Sequence, residues 1–234
     1  YTVNAGDRAG AVTFSIAFSD TAGNAGTAVT SGTGSVTFDN AAPTLSSVSM
    51  ASSNSINTVA VISDVVTLTF TASETIGTPT VTFSSGGAGI TDTSIVYTNT
   101  SGTTWTAVYT ANASDTDGSV TYSIAFSDSA GNAGTAVTSG TGSVTFDKTP
   151  PTLSSVGIVS DNTTTTLAKV GDEITLTFTA SETIATPVVT FLSGGDAIND
   201  SSVTYADNGS DVHTAKYTAN ASDTAGSVTY SIAF

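Results

Sequence analysis

Carboxylates are the side chains of this sequence with the clearest chemical potential, because they return at a fixed spacing. Of 19 acidic residues, 13 fall at six positions that repeat at an offset of 108 residues: Asp7/Asp115/Asp223, Asp20/Asp128, Asp39/Asp147, Asp64/Asp172, Glu74/Glu182 and Asp92/Asp200. Carboxylates gathered at one place repel each other, and a hard cation taking 6–8 oxygen ligands at ~2.3–2.6 Å compensates them. The same residues also suit a plainer task. Asp-x-Ala-Gly-Asn, at 20–24 and 128–132, is a good turn sequence, and an Asp at a loop edge caps backbone amides. Both readings stay open on the sequence alone. Other chemistries lack their residues. With no Cys there is no disulfide framework, thiolate site or thiol nucleophile. The lone His213 aligns with Trp105, which marks a rim or half-buried packing position, and no partner recurs around it to make a catalytic base. Persistent carboxylates at strand ends, with no evident pocket, make poor acid–base pairs, so the reading is not an enzyme.

Composition removes further classes. Only 10% of residues are charged, against roughly 25% in typical soluble proteins, while 47 Thr and 34 Ser make up about a third of the 234 residues. Four basic residues give a net charge of −15, which repels a phosphate backbone and argues against nucleic acid. No apolar run approaches the ~20 residues of a membrane span in this segment. A mean hydropathy of +0.18 with well-spaced Val, Ile, Phe and Tyr nevertheless argues for a packed core. Lys148, Lys169 and Lys216 align with Asn40, Val61 and Val108, so no lysine recurs to make a crosslink in every domain.

The elements that must position these carboxylates follow from the repeat. Val12–Asp39 and Val120–Asp147 differ at only two of 28 positions, and no insertion is needed anywhere along the 108-residue period. Pro-containing turns at 40–43 and 148–151 mark junctions. The expected division is 1–39, the last part of a preceding repeat; 43–147, a complete repeat; and 151–234, a repeat without its last strand. The reading is of a window on a longer array. The alternative is that residues 1–39 of one subunit complete the 151–234 domain of the next. Alternation is strong: Val66, Leu68, Phe70 and Ala72 share one face against Thr67, Thr69 and Thr71, and Val120, Tyr122, Ile124 and Phe126 do the same. Strands are expected near 44–50 (A), 64–73 (B), 79–84 (C), 93–98 (D), 103–110 (E), 119–127 (F) and 136–146 (G), with the glycine runs 84–89 and 192–197 as C–D turns. About seven short strands per repeat predict an all-β fold of tandem immunoglobulin-like Greek-key sandwiches.

In that topology the B–C and F–G loops lie where strand A begins, beside the preceding repeat. This gathers Asp7, Asp39 and Asn40 from one side with Glu74, Asp128 and Asn132 from the other. The next junction would use Asp115, Asp147 and Glu182. The segments TFDKTPPTLSSV (145–156), GDEITLTFTASETI (171–184) and FSDSAGNAG (126–134) resemble the bacterial Ig-like tandem repeats of large extracellular adhesins and surface repeat proteins. The resemblance covers the whole chain. It implies an extracellular or cell-surface location, calcium as the junctional ion, and neighbouring repeats as the first partners.

The expected function is therefore structural: a stiff module of an extracellular fibre or adhesin stalk, each repeat advancing the axis by roughly 33 Å over a strand of about ten residues. Low charge and abundant Thr also suit lateral or end-to-end self-assembly into a filament or sheath. A binding module for glycan, ice or a cell surface is the other alternative, but aromatics fall on the inward parity and Thr appears on most strands rather than on one ruled face.

Overall fold

The computed structural model describes residues 1–92, 94–199 and 203–234; Asp200, one of the recurring acidic positions, lies outside the described residues. The chain divides into two compact units, Tyr1–Lys148 and Thr149–Phe234. Every regular element among the described residues is a strand. In the first unit these are β1 (Gly10–Ala11), β2 (Thr37–Phe38), β3 (Leu45–Ser52), β4 (Val59–Ala60), β5 (Val65–Ala72), β6 (Thr80–Ser85), β7 (Ala88–Gly89), β8 (Val96–Ser101), β9 (Thr104–Thr110), β10 (Gly118–Ala125) and β11 (Thr145–Phe146). The second holds β12 (Leu153–Ser160), β13 (Glu173–Ala180), β14 (Val188–Ser193), β15 (Asp196–Ala197), β16 (Thr204–Asp207), β17 (Val212–Thr218) and β18 (Val228–Ala233).

Residues 45–146 form two facing sheets, β3-β5-β9-β8 and β4-β11-β10-β6-β7. In immunoglobulin lettering these are A-B-E-D and A′-G-F-C-C′, a Greek-key sandwich. Period-2 alternation supplies the core: Val66, Leu68 and Phe70 of strand B, Ala107 and Tyr109 of E, Phe83 of C, Ile124 of F and Phe146 of G all lie in one buried cluster. The Thr residues between them are exposed or half-buried, as β-branched polar side chains on a half-solvated pleat should be. Trp105 is buried rather than on the rim, as is its counterpart His213. Strand E is central in the A-B-E-D sheet, and Trp105 and His213 face Phe70 and Phe178 across the ladder from B.

Three further differences from the sequence reading have local causes. The glycine pairs 86–87 and 194–195 turn C into a short C′ strand, β7 and β15, instead of crossing to D. Residues 59–60 make a two-residue A′ strand, too short for periodicity to show, that pairs in parallel with β11. Strand G is not continuous over 136–146. Val137 bridges Ile124 of F, Thr141 then crosses to strand A, and only 145–146 rejoin F as β11. At the crossing Met50 N donates to Thr141 O at 3.0 Å and Thr141 N to Val48 O at 2.9 Å, covering an otherwise open sheet edge. Glycines permit the approach: a Cβ on Gly140 would stand 2.4 Å from Val48 O, and Gly142, at φ +74°, is equally close to Met50 O.

Two other segments reuse this plan. Residues 10–38 form a hairpin equivalent to F–G, with β1 paired to β2 and bridges Ile16–Val29 and Ser19–Ala25. The second unit has sheets β12-β13-β17-β16 and β15-β14-β18, the A-B-E-D and C′-C-F sheets of the same sandwich around Leu176, Phe178, Phe191 and Tyr217.

Candidate metal centre

Three of the expected carboxylates meet. Asp39 follows β2 of the hairpin, Glu74 follows β5 in the B–C loop, and Asp128 opens the F–G loop after β10. Each offers one carboxylate oxygen, and these oxygens lie within 4.8 Å of one another. Asp39 and Glu74 are half-buried and Asp128 is buried. Among the described residues no Lys or Arg forms an ion pair with any of them. Two unit charges at such a spacing repel by about 1 kcal/mol in water and about 3–4 kcal/mol at the effective dielectric near a protein surface.

Local sequence positions Asp128. Its Oδ1 accepts the Asn132 backbone N–H at 2.8 Å and its Oδ2 accepts the Asn132 side-chain amide at 2.8 Å, so the five-residue turn closes on its own carboxylate. The side-chain and backbone hydrogen bonds of Asn132 hold the Asp128 carboxyl below the usual range. The Asn132 amide also donates to the Asp39 carbonyl at 3.2 Å, tying the end of the hairpin to this loop. The identical turn in the hairpin closes in the same way, Asp20 accepting from Asn24 at 2.8 Å through both backbone and side chain. Asp39 Oδ1 accepts the Ala41 N–H at 3.0 Å, and Asn40 is exposed beside it.

The structure places the other expected ligands elsewhere. Asp115 is buried and its carboxylate accepts Thr91 N–H (2.9 Å), Thr91 Oγ1–H (3.0 Å) and Asn112 N–H (3.0 Å), closing the E–F corner. Asp7 takes the same part in the hairpin, accepting Asn4 N–H at 2.7 Å and the Tyr1 hydroxyl, which together lower its pKa, the tyrosine contributing most. Asp223 does so in the second unit, accepting from Asn199 and Asn220 at 2.9 Å each. The signal was in the sequence: Asn4-x-x-Asp7, Asn112-x-x-Asp115 and Asn220-x-x-Asp223 share the spacing of a self-capping turn. Asp147 ends strand G, its N–H on Ala60 O at 2.9 Å, and Glu182 lies half-buried in the second unit. At the position of Asn40, Lys148 donates its ammonium to the carbonyls of Ala113 (3.0 Å) and Asp115 (2.6 Å).

Two more recurring acids are also caps. Asp64 Oδ2 accepts Val61 N–H and the Asn54 amide, both at 2.8 Å, and Asp172 Oδ2 accepts the Asn162 amide at 2.7 Å and Lys169 N–H at 2.9 Å. These bonds hold both carboxyls below the ordinary range, led by Val61 for Asp64 and by Asn162 for Asp172. Asp92 caps Ser94 and Thr110. The turn reading therefore accounts for Asp7, Asp20, Asp64, Asp92, Asp115, Asp172 and Asp223; Asp39 and Asp128 cap turns as well, and together with Glu74 they form the converging set. That set is all oxygen, with no imidazole or thiolate, which suits a hard cation of the calcium class and not zinc.

Strand order and pairing define a protein of tandem immunoglobulin-like β-sandwiches. No family model matches the chain, and no curated protein matches it. Among solved structures an I-band fragment of titin is similar at 14% identity and a TM-score of 0.40, covering 83% of this chain, which in turn spans 65% of that fragment's length. Tandem Ig repeats of Dlar are similar at 14% identity and a TM-score of 0.27, with 82% of this chain and 89% of that one covered. The N-terminal eight Ig domains of the Down Syndrome Cell Adhesion Molecule are 12% identical with a TM-score of 0.35, covering 99% of this chain and 34% of that one.

Proposed function

We propose that this chain is a structural spacer, a stiff tandem module of an extracellular fibre or adhesin stalk, with a calcium ion bound by Asp39, Glu74 and Asp128. The observation that carries the reading is the origin of the three carboxylates: one ends the hairpin of residues 1–39, and two come from loops of the sandwich that follows. An ion held by all three would replace mutual repulsion with attraction across a joint that the short 39–45 connection otherwise leaves to the Asn132–Asp39 bond. In nearest-neighbour arrays such joints decide stiffness, and domain number decides length. A role without catalysis agrees with carboxylates that are mostly consumed in turn capping.

Calorimetry and thermal unfolding of the whole chain, with calcium and then with chelator, test this. Calcium binding and a raised melting temperature, both lost in D39N and E74Q, are expected. Identical melts in calcium and chelator would sink the site and leave a spacer without an ion.

A further inference from the structure

The D–E turn of the second unit is built unlike its counterpart in the first. Strands β16 and β17 end their ladder at Asp207 and His213, and residues 208–212 read Asn-Gly-Ser-Asp-Val. At the 108-residue offset the first unit has Thr-Ser-Gly-Thr-Thr, where Ser101 still pairs with Thr104 and only Gly102 has positive φ. In the second unit Gly209, Ser210 and Asp211 follow one another at φ +78°, +53° and +57°. Residues other than glycine take that region reluctantly, so the turn is held by its surroundings. Asn208 N–H donates to Val212 O at 2.8 Å, Val212 N–H to Gly209 O at 3.1 Å, and Ala180 N–H of strand B to Asp211 O at 2.9 Å.

Asn208–Gly209 is the one Asn–Gly step in the sequence, and both residues are exposed. The backbone nitrogen that follows an asparagine can close a five-membered ring on the asparagine's own carboxamide carbon, a unimolecular step between neighbours. Glycine in the second place removes the Cβ that hinders this approach. The nitrogen becomes a nucleophile only as its proton leaves, and here Gly209 N–H already donates to Asp207 Oδ1 at 2.8 Å, so a carboxylate stands where that proton must go. The carboxamide is tethered at its other end, Nδ2 of Asn208 donating to Thr214 Oγ1 at 3.3 Å. Other asparagines are arranged against the reaction. Asn112, Asn162 and Asn220 commit their side-chain oxygens to the N–H groups of Ser114, Thr164 and Ser222 at 2.9, 3.1 and 2.8 Å, and alanine or threonine follows each. The Asp117–Gly118 step is half-buried, with Asp117 Oδ1 accepting Lys148 N–H at 3.0 Å.

We propose that Asn208 is a site of spontaneous deamidation, with Asp207 as the proton acceptor. Gly209 N attacks Asn208 Cγ as its proton passes to the Asp207 carboxylate. Nδ2 then takes that proton and leaves as ammonia, which completes a succinimide between residues 208 and 209. Water opens the ring at either carbonyl, giving aspartate or, with the main chain rerouted through Cγ, isoaspartate. In sum one water is consumed and one ammonia released, and no cofactor or oxidant takes part. The product places a new carboxylate between Asp207 and Asp211, in a turn already left-handed at three successive residues. Isoaspartate also lengthens that turn by one methylene. The modification marks the age of a copy and loosens the D–E turn of this unit, while the first unit, with Thr100–Ser101 at the same place, is spared.

Freshly purified full chain, kept near neutral pH in heavy-oxygen water and mapped by peptide mass spectrometry, gives the measurement. Position 208 should take up one heavy oxygen, appear as both aspartate and isoaspartate, and convert at least about tenfold faster than Asn162 or Asn220. Asp207→Asn keeps an oxygen for Gly209 N–H but removes the basic carboxylate. D207N should hold the melting temperature and slow conversion severalfold. The gap should widen as pH falls from about 8 to about 6, because hydroxide, the competing base, falls about tenfold with each unit. An Asp207 that only shapes the turn would produce no such pH dependence. Conversion at 208 no faster than at Asn162 or Asn220 overturns the site. D207N that converts at least as fast as wild type near the acid end of that range overturns the role of Asp207. Asn208→Asp installs the product charge directly and should speed hydrogen exchange at the Ala180 and Val212 amides; unchanged exchange overturns the loosening.

Discussion

Residues 12–39 and 120–147 are the same peptide at 26 of 28 positions, fold into the same hairpin, close the same Asp–Asn turn, and differ in what covers them. Val120, Ile124 and Val144 are 5%, 0% and 1% exposed, while Val12, Ile16 and Val36 are 44%, 54% and 65% exposed. The comparison separates two kinds of cause. Turn closure and F–G pairing depend on residues close in sequence, and they appear in both. Burial depends on strands B, C and E facing the hairpin, and appears only where those strands are present. In the second unit, where strands B, C and E are present, Val228 and Ile232 are half-buried.

The largest test of that separation is a matched pair of core deletions. Phe126→Ala should destabilise the sandwich by about 3–5 kcal/mol, because a buried aromatic leaves a cavity. Phe18→Ala, at the equivalent but exposed site, should stay within about 1 kcal/mol. Denaturant unfolding of the full chain reads both, and equal effects would break the comparison.

Glycine substitutions sharpen it. Gly140→Val should cost about 1–3 kcal/mol or more by forcing strand G away from strand A, with Gly32→Val near neutral by the same measurement. Next in size is the carboxylate cluster. At a calcium concentration about 100 times its dissociation constant the ion adds about 2.7 kcal/mol to folding, and Asp128→Asn should remove that gain, while Asp20→Asn in the matching hairpin turn should not.

The smallest effect is the acid response of the caps. The Asp64 and Asp172 carboxyls titrate lower folded than unfolded, so folding favours their ionised forms. Their contribution is complete above the unfolded value of about 3.9 and is lost as pH falls through the lower folded value. Melting temperature should be flat from neutrality to about pH 5 and fall below about pH 4, by circular dichroism, with a shallower acid limb in the Asp64→Asn and Asp172→Asn variants.

The strands with unbroken alternation, A, B, E and F, were legible to within about two residues, because period-2 burial is written directly into residue types. The A′ strand was not, since Val59–Ala60 is too short to alternate, and neither was the break in G, where Gly140 and Gly142 read only as a glycine-rich turn until strand A is seen beside them. Trp105 and His213 read as tolerant rim or half-buried positions because they exchange, yet both are buried opposite Phe70 and Phe178, with His213 stacked on Phe178. Of the nine expected ligands, Asp39, Glu74 and Asp128 converge. Recurrence and the expected place of the E–F loop at the junction put Asp7 and Asp115 in the set, although their Asn-x-x-Asp spacing already describes a self-capped corner.

By itself the sequence determined the 108-residue period, the parity of each long strand and the closure of every Asx turn, because each of these is settled by residues within a few positions of one another. Tertiary structure alone decided which side chains of a repeated peptide are covered, which recurring acids meet, and where strand G leaves F to cross to strand A. Those outcomes belong to surfaces assembled from segments tens of residues apart, and two identical peptides carry no record of the surface each will meet.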